Sequence, residues 1–367
     1  MNVPDLRAMA DMWDLQPSFL SLYLDLRRGI DEAFMRKRQK ECQSALAGQK
    51  EQLELFREAL AQAESTLRNR RWNAEGVAIF SNPGRRYLEA FELPGEVENR
   101  MVFDSSPYIK PLAELHHDWE ESIVVVLDHT HARLFVVSHY EILQKDTVAE
   151  EIVRKHRNGG MSQLRFQRLH DGYVSRYFKE VAEHLAAELE KCRCHGRLRG
   201  IVLAGPKDAK VEFEKYLPVE LQKMVVGHVV EPADAPDCTV VRAADEVVRS
   251  GEAAKEKALM DKLRGGILGS GLAVYGFDEV RRATFEGRTD ILLIQKGLAI
   301  RGWRCEHCRN FGTGGPQICP VCGKPSLQVD AVEELVELAM DRGTRAEFLA
   351  GDGGISQLGG LGALLRY

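Results

Sequence analysis

Arg154-Lys155-His156-Arg157-Asn158-Gly159-Gly160-Met161-Ser162-Gln163-Leu164-Arg165-Phe166-Gln167-Arg168-Leu169 joins a cationic loop to the start of an amphipathic helix. Two adjacent glycines leave the backbone unobstructed and free to take positive φ. Ser162 stands where a helix N-cap belongs. A helix start presents unpaired N–H groups and a partial positive charge, which favour a phosphate or a developing oxyanion. Between Val153 and Lys179 seven Arg and Lys residues oppose one acid, Asp171, a local net of +6 in a chain whose formal net charge is −5. Such a patch is an electrostatic footprint for nucleic acid. A flexible Gly-Gly turn flanked by solvated charges is the plainer alternative from these residues alone. Phe166, Leu169, Tyr173, Tyr177, Val181 and Leu185 recur at steps of three and four and predict the buried face of the helix.

On the amino-terminal side, Ile123–Leu127 and Arg133–Ser138 are apolar runs joined by the polar turn Asp128-His129-Thr130-His131, which predicts a β-hairpin. A polar stretch follows it. On the carboxyl side, Ile201–Ala204 and Val225–Val230 read as strands. Before this middle segment, Ser21–Leu26 alternates like a strand, and Asp31–Asn69 reads as one long helix or two broken near Gly48. Short strands are expected at Gly76–Phe80, Tyr87–Leu93 and Met101–Phe103. After it, helices are expected at Ala243–Arg264, Ala273–Glu286 and Ala331–Arg342, with strands at Ile291–Ile294 and Glu347–Ala350. The fold class is α/β, in three domains: residues 1–118 with the long helix, 119–238 with the Gly-Gly loop, and 239–367.

The third domain holds a cysteine module over residues 303–327. Cys305 and Cys308 form one Cys-x2-Cys turn, Cys319 and Cys322 a second, ten residues apart. Each turn aims two thiolates at one point, and two turns complete the tetrahedron that Zn²⁺ prefers. With all four positions filled by protein, such a zinc would be structural. Four reduced cysteines and an iron–sulfur cluster are the alternatives. Lys296, Arg301, Arg304, Arg309 and Lys324 against Glu306 make a basic ribbon, suited to RNA or a protein partner, or merely solvated.

The 367 residues, with 44% hydrophobic and 29% charged, exclude a disordered or fibrous chain. The longest aliphatic run is far short of the ~20 residues of a membrane span, and Asp5, Arg7, Asp11 and Asp14 occupy the place of a signal peptide's apolar stretch. A cytoplasmic protein with no membrane partner is expected. No Gly-x4-Gly-Lys-Ser/Thr loop and no Gly-x-Ser-x-Gly elbow occurs. Gly351, Gly353 and Gly354 lack the strand-to-helix setting of a dinucleotide fingerprint. His129 with His131, and Cys192, Cys194 and His195 with Cys238, are minor metal candidates; a polar turn and unpaired thiols are the plainer readings.

Lys155–Leu169 resembles the catalytic loop and helix of the archaeal and eukaryotic class-1 peptide chain release factors, Lys-His-Gly-Arg-Gly-Gly-Gln-Ser-Ala-Leu-Arg-Phe-x-Arg-Leu. The hairpin at Val124–Asp128 and Ala132–Phe135, the strand Gly200–Pro206, and Ala273–Gly276 leading to Asp290–Ile294 are similar to further family segments in the same order. The tail Gly359-Gly360-Leu361-Gly362-Ala363-Leu364-Leu365-Arg366-Tyr367 resembles the family's Gly-Gly-Ile-Gly-x-Ile-Leu-Arg-Tyr. The chain thus looks like a divergent, bacterial-type member of the release factor and Pelota superfamily. The resemblance implies a ribonuclease-H-like middle domain and a carboxyl-terminal α/β sandwich with an inserted zinc ribbon.

Two departures shape the expected function. Met161 stands where release factors carry the glutamine that orients water on the peptidyl-tRNA ester, and a thioether donates no hydrogen bond. Gln163, two residues on, gives a Gly-x-x-Gln loop similar to that of ribosome-quality-control hydrolases. The stop-codon-reading Asn-Ile-Lys-Ser and Tyr-x-Cys-x3-Phe elements are absent from the sequence. By resemblance, the chain would bind the ribosomal A site independently of the codon. Gly159, Gly160 and Gln163 would act at the peptidyl-tRNA, and Arg154, Lys155, Arg157, Arg165 and Arg168 would contact ribosomal RNA. A translational GTPase is a further partner implied by the third domain. Peptidyl-tRNA hydrolysis in ribosome rescue and a non-hydrolytic plug, for rescue or hibernation, are the two functions in competition.

Overall fold

A computed structural model describes residues 4–93, 97–115, 121–138, 141–149, 163–195, 198–315, 317–351 and 353–367. The chain divides into two compact units, Met1–His116 with Glu256–Tyr367, and His117–Lys255.

The first unit begins with the short helix α1 (Leu6–Ala10), capped by the Asp5 carboxylate on the Ala8 N–H. Strand β1 (Phe19–Asp25) follows, then α2 (Glu32–Ala45) and α3 (Lys50–Asn69). The long helical stretch therefore breaks between Ala45 and Lys50, at Gly48. Strands β2 (Gly76–Asn82), β3 (Tyr87–Leu93) and β4 (Arg100–Asp104) complete an antiparallel sheet of order β3-β2-β1-β4. Strand side chains alternate between faces. Leu20, Leu22, Leu24, Val77 and Ile79 thus meet Phe56, Ala59, Leu60, Ala63 and Leu67 of α3. The opposite face carries Tyr23, whose hydroxyl donates to the Tyr108 carbonyl, and Ser21, whose Oγ accepts from the Tyr108 N–H. Helix α4 (Lys110–Glu114) continues from there.

The second unit holds β5 (Glu121–Leu127), β6 (His131–Ser138), β7 (Glu141–Ala149), α5 (Gln163–His195), β8 (Leu198–Ala204), α6 (Lys207–Glu214), α7 (Val219–Gln222) and β9 (Val225–Val229). Its five-stranded sheet runs β7-β6-β5-β8-β9, with β5, β8 and β9 parallel and β5, β6 and β7 antiparallel. The expected β5–β6 hairpin is present. Ile123, Val125 and Leu127 face α5 and α6; Val124 and Val126 face Val240, Val241, Ala244 and Val248 of helix α8 (Asp237–Gly265). A Cβ at Gly205 would overlap the Leu127 carbonyl, and φ there is +130°, so glycine lets β8 end against β5.

Helix α8 extends into the first unit, where Met260 and Leu263 join the core under the carboxyl-terminal sheet. That sheet comprises β10 (Ala273–Tyr275), β11 (Thr289–Gln295), β15 (Arg345–Leu349) and β16 (Leu361–Leu365), in the order β10-β16-β11-β15. Helix α9 (Phe277–Phe285) lies between β10 and β11. A small second sheet, β13-β12-β14, consists of β12 (Arg301–Cys305), β13 (Phe311–Thr313) and β14 (Ser326–Asp330), followed by α10 (Ala331–Asp341). Ala273–Tyr275, expected to be helical, is a strand paired with β16; Gly276, at φ +75°, separates it from α9. Among the described helices none is long and apolar enough to cross a membrane.

Candidate functional site

The tetracysteine module is built from two matching knuckles. In the first, the Arg309 N–H donates to the Cys305 carbonyl at 2.8 Å and the Cys305 N–H to Asn310 at 2.9 Å. In the second, Gly323 donates to Cys319 at 3.0 Å and Cys319 to Lys324 at 2.7 Å. The residue after each second cysteine is left-handed, Arg309 at φ 56° and Gly323 at φ 69°. Cys305 Sγ lies 3.4 Å from Cys322 Sγ, Cys308 Sγ 3.6 Å from Cys319 Sγ, and the four ligand atoms are all within 4.8 Å of one another. Burial disfavours ionisation of Cys319, but N–H groups of Cys322 and Val321 more than offset it and lower the thiol to about 7. The Val321 N–H donates to that sulfur at 3.4 Å. A convergent, soft, four-thiol set can hold a metal ion.

The strand that carries Cys305 also carries the most buried charge among the described residues of the unit. Arg304 is 1% exposed. Its guanidinium pairs with Asp104, with Glu334 at 2.8 Å and with Glu306 at 2.8 Å. The expected basic ribbon is therefore smaller than its composition suggests: Arg304 is neutralised, and Arg309 lies over the Trp13 ring at 4.4 Å. Trp13 also receives Arg304 at 4.6 Å, so two guanidinium groups contact one indole. Ser105 Oγ donates to Glu306 at 2.5 Å.

Helix α10 extends this network. Glu333 accepts the N–H groups of Ile109 and Lys110 at 2.6 and 2.9 Å, supplying from a distant element the cap that α4 lacks. Glu337 accepts from the Ser106 hydroxyl at 2.8 Å, and Lys110 pairs with Asp330 at 2.6 Å. Burial pushes the carboxyls of Glu333 and Glu337 up to about 8. Nothing in the local sequence marks these glutamates as buried; their partners lie more than two hundred residues away. A Cβ at Gly302 would collide with the Gly312 carbonyl and with Ala331, so this glycine lets the small sheet close on α10.

In the second unit, the loop residues Arg154, Lys155, Arg157, Gly159, Gly160 and Met161 lie outside the described residues. Gln163 is the first residue of α5, and Arg165 and Arg168 follow on that helix. Tyr177, Val181 and Leu185 face the core as expected. Tyr173 does not: it is 39% exposed, and the stripe runs through Val174 and Phe178 instead. Phe178, missed from the sequence, packs on Tyr177, Phe213 and Tyr216. His129 lies 3.5 Å from Glu212, and the Asp128 carboxylate accepts the Thr130 and His131 N–H groups, an ordinary polar turn. Cys192 is buried and its thiol is pushed up to about 12, chiefly by desolvation. Such a thiol stays protonated. Among the described residues the tetracysteine set is the one grouping that could hold a metal.

Two family models match the chain. "Bacterial archaeo-eukaryotic release factor family 10" covers residues 107–249, and "eRF1 domain 3" covers residues 253–367. Peptide chain release factor subunit 1 of Archaeoglobus fulgidus is 29% identical over 314 residues, spanning 80% of this chain and 77% of that protein. The Pyrococcus abyssi protein of the same name is 28% identical over 293 residues, spanning 72% and 70%. Among solved structures, Dom34 of S. cerevisiae, described as a translation termination-like factor, aligns over 79% of this chain and 81% of its own, with 13% identity and a TM-score of 0.44. With the matched segments in chain order from the middle of the sequence to its end, this chain belongs to the superfamily of archaeal and eukaryotic class-1 release factors.

Proposed function

We propose that the protein occupies the ribosomal A site without reading a codon and rescues stalled ribosomes by hydrolysing peptidyl-tRNA. The observation that carries this is the sequence Gly159-Gly160-Met161-Ser162-Gln163, which follows Arg154, Lys155 and Arg157 and leads into α5 at Gln163, within the segment matched by the release-factor family model. Gly159 and Gly160 would allow close backbone approach to the tRNA end. Gln163, at the helix start, would orient water, and loop N–H groups would stabilise the tetrahedral oxyanion. Arg154, Lys155, Arg157, Arg165 and Arg168 would contact phosphates of ribosomal RNA, a recognition of shape and backbone charge. The sheet order β7-β6-β5-β8-β9, three antiparallel strands continued by two parallel ones, supports a ribonuclease-H-like middle domain. Action in the cytoplasm, with assistance from a translational GTPase, belongs to the same proposal.

Met161 favours a second reading, a non-hydrolytic plug acting in Pelota-like rescue or hibernation, because a displacement of two residues moves a water-orienting group by several ångströms and geometry of that kind dominates such catalysis. Stalled ribosomes carrying labelled peptidyl-tRNA separate the two. Cleavage by the wild type and its loss in Gln163→Ala support hydrolysis. Firm ribosome binding with no cleavage at saturating protein leaves the plug.

Cys305, Cys308, Cys319 and Cys322 fit Zn²⁺ by donor type and convergence. With four protein ligands the ion would hold the two knuckles together and take no part in ester hydrolysis. Metal analysis of the purified protein tests this: one zinc per chain supports it, and iron or none does not.

A further inference from the structure

The residues flanking the cysteines hold one part of the amino-terminal segment, while Glu337, Glu333 and Asp330 hold Ser106, Ile109 and Lys110. Arg304 and Glu306 sit on either side of Cys305, and Arg309 follows Cys308. Their partners in the amino-terminal segment are Trp13, Asp104 and Ser105, and Arg304 also pairs with Glu334 of α10. Those three are themselves fixed to the amino-terminal sheet. The Asp14 N–H donates to the Ser105 carbonyl at 2.9 Å, and Arg85 donates to the Trp13 carbonyl at 2.5 Å and to Asp14 at 2.6 Å. Asn82 at the end of β2 also donates to Asp14, at 2.9 Å. A single chain of contacts therefore runs from the sulfur ligands, through Arg304, Glu306 and Arg309, to the edge of the β1–β4 sheet.

Arg309 adds a second, independent sign. It takes the left-handed conformation that the matching knuckle assigns to Gly323. A side chain in that region is disfavoured relative to glycine, because its Cβ crowds the following carbonyl. The side chain present there lies on Trp13, so the knuckle carries local strain in a residue whose contact is with the amino-terminal segment.

We propose that metal binding at the four cysteines and docking of residues 5–18 and 104–110 onto the ribbon are one linked equilibrium. Metal fixes the knuckle geometry that presents Arg304, Glu306 and Arg309 together. Without it, Trp13 and Asp104 lose a preformed partner. Linkage makes the coupling reciprocal: whatever docking gains from metal, metal affinity gains from docking. The inference rests on the tetracysteine set being a metal site and is independent of the ribosomal role.

The full-length protein tests it by hydrogen exchange and zinc competition. Removing zinc with a chelator is expected to speed exchange of residues 5–18 and 104–110 at least tenfold, while Gly76–Asn82 in the centre of the amino-terminal sheet keeps its protection. Trp13→Ala, which leaves all four cysteines in place, is expected to weaken zinc affinity about 5-fold or more in competition with a chromogenic chelator. Arg309→Gly, combined with Trp13→Ala, is expected to restore part of that affinity by relieving the left-handed arginine. Zinc removal that leaves exchange at 5–18 and 104–110 unchanged overturns the linkage although the metal site stands. Trp13→Ala with affinity within twofold of wild type does the same. A chain that binds no zinc overturns both the metal site and the linkage, without bearing on ribosome binding.

Discussion

Replacing Arg304 by methionine tests whether the buried charge cluster holds the first unit together. The guanidinium is almost fully enclosed and faces three carboxylates, Asp104, Glu306 and Glu334. Methionine fills similar volume but leaves those acids facing one another with no counter-charge. Removing one partner of a buried ion pair typically costs about 3–5 kcal/mol, because the remaining charge has no solvent to replace its partner. For a unit of this size each kcal/mol moves Tm by about 2–4 °C, so Tm should fall by roughly 6–20 °C. Arg27, which pairs with Asp25 at the surface, is the internal control; Arg27→Ala should cost less than about 1 kcal/mol. Thermal and denaturant unfolding provide the measurement. Glu334→Gln alone and with Arg304→Met completes a double-mutant cycle, which should show coupling above about 1 kcal/mol. Because the cluster is buried, the loss should change little between low and high salt. A loss below about 1 kcal/mol for Arg304→Met, or its disappearance in high salt, would refute the assignment of Arg304 as a structural centre.

Glu333 and Glu337 bind their protons more tightly folded than unfolded, so their contribution to stability is fully present below about pH 4.5 and is lost as pH rises through about 8; denaturant midpoints at several pH values should decline across that window, and Glu337→Gln should flatten the decline. Gly205→Ala should destabilise the second unit by about 2–4 kcal/mol through positive-φ strain and overlap with the Leu127 carbonyl, read by urea unfolding; a loss under 1 kcal/mol contradicts the packing described. Arg154, Lys155 and Arg157 replaced together by alanine should lower ribosome affinity and flatten its salt dependence by up to about 3 in log–log slope, measured by sedimentation across a salt series.

Much of the fold could be read where local pattern and tertiary environment agree. Ile123–Leu127 and most of Arg133–Ser138 are apolar because both faces of β5 and much of β6 are buried, so the hairpin is visible as two runs and a polar turn. For Asp31–Asn69 the sequence left one helix or two broken near Gly48 open, and the structure has two. Strand β7 was missed because Ile142–Lys145 are exposed and the segment offers no apolar run to mark it. Ala273–Tyr275 departs from the expected helix because three apolar residues beside a helical pattern carry no period of their own; pairing with β16, ninety residues later in the chain, decides the matter. At the candidate site, the spacing of Cys305, Cys308, Cys319 and Cys322 announced their convergence, since local turns alone produce it. Arg304 could not be distinguished from its solvated neighbours. Its burial depends on Asp104, two hundred residues away, and on glutamates of α10 that look like an ordinary polar helix face.

Co-sedimentation with ribosomes tests the central claim most directly. Purified protein at moderate salt should pellet with ribosomes carrying an empty A site irrespective of the codon there, and should do so less when a tRNA already fills that site. Protein that stays in the supernatant with vacant ribosomes contradicts the account.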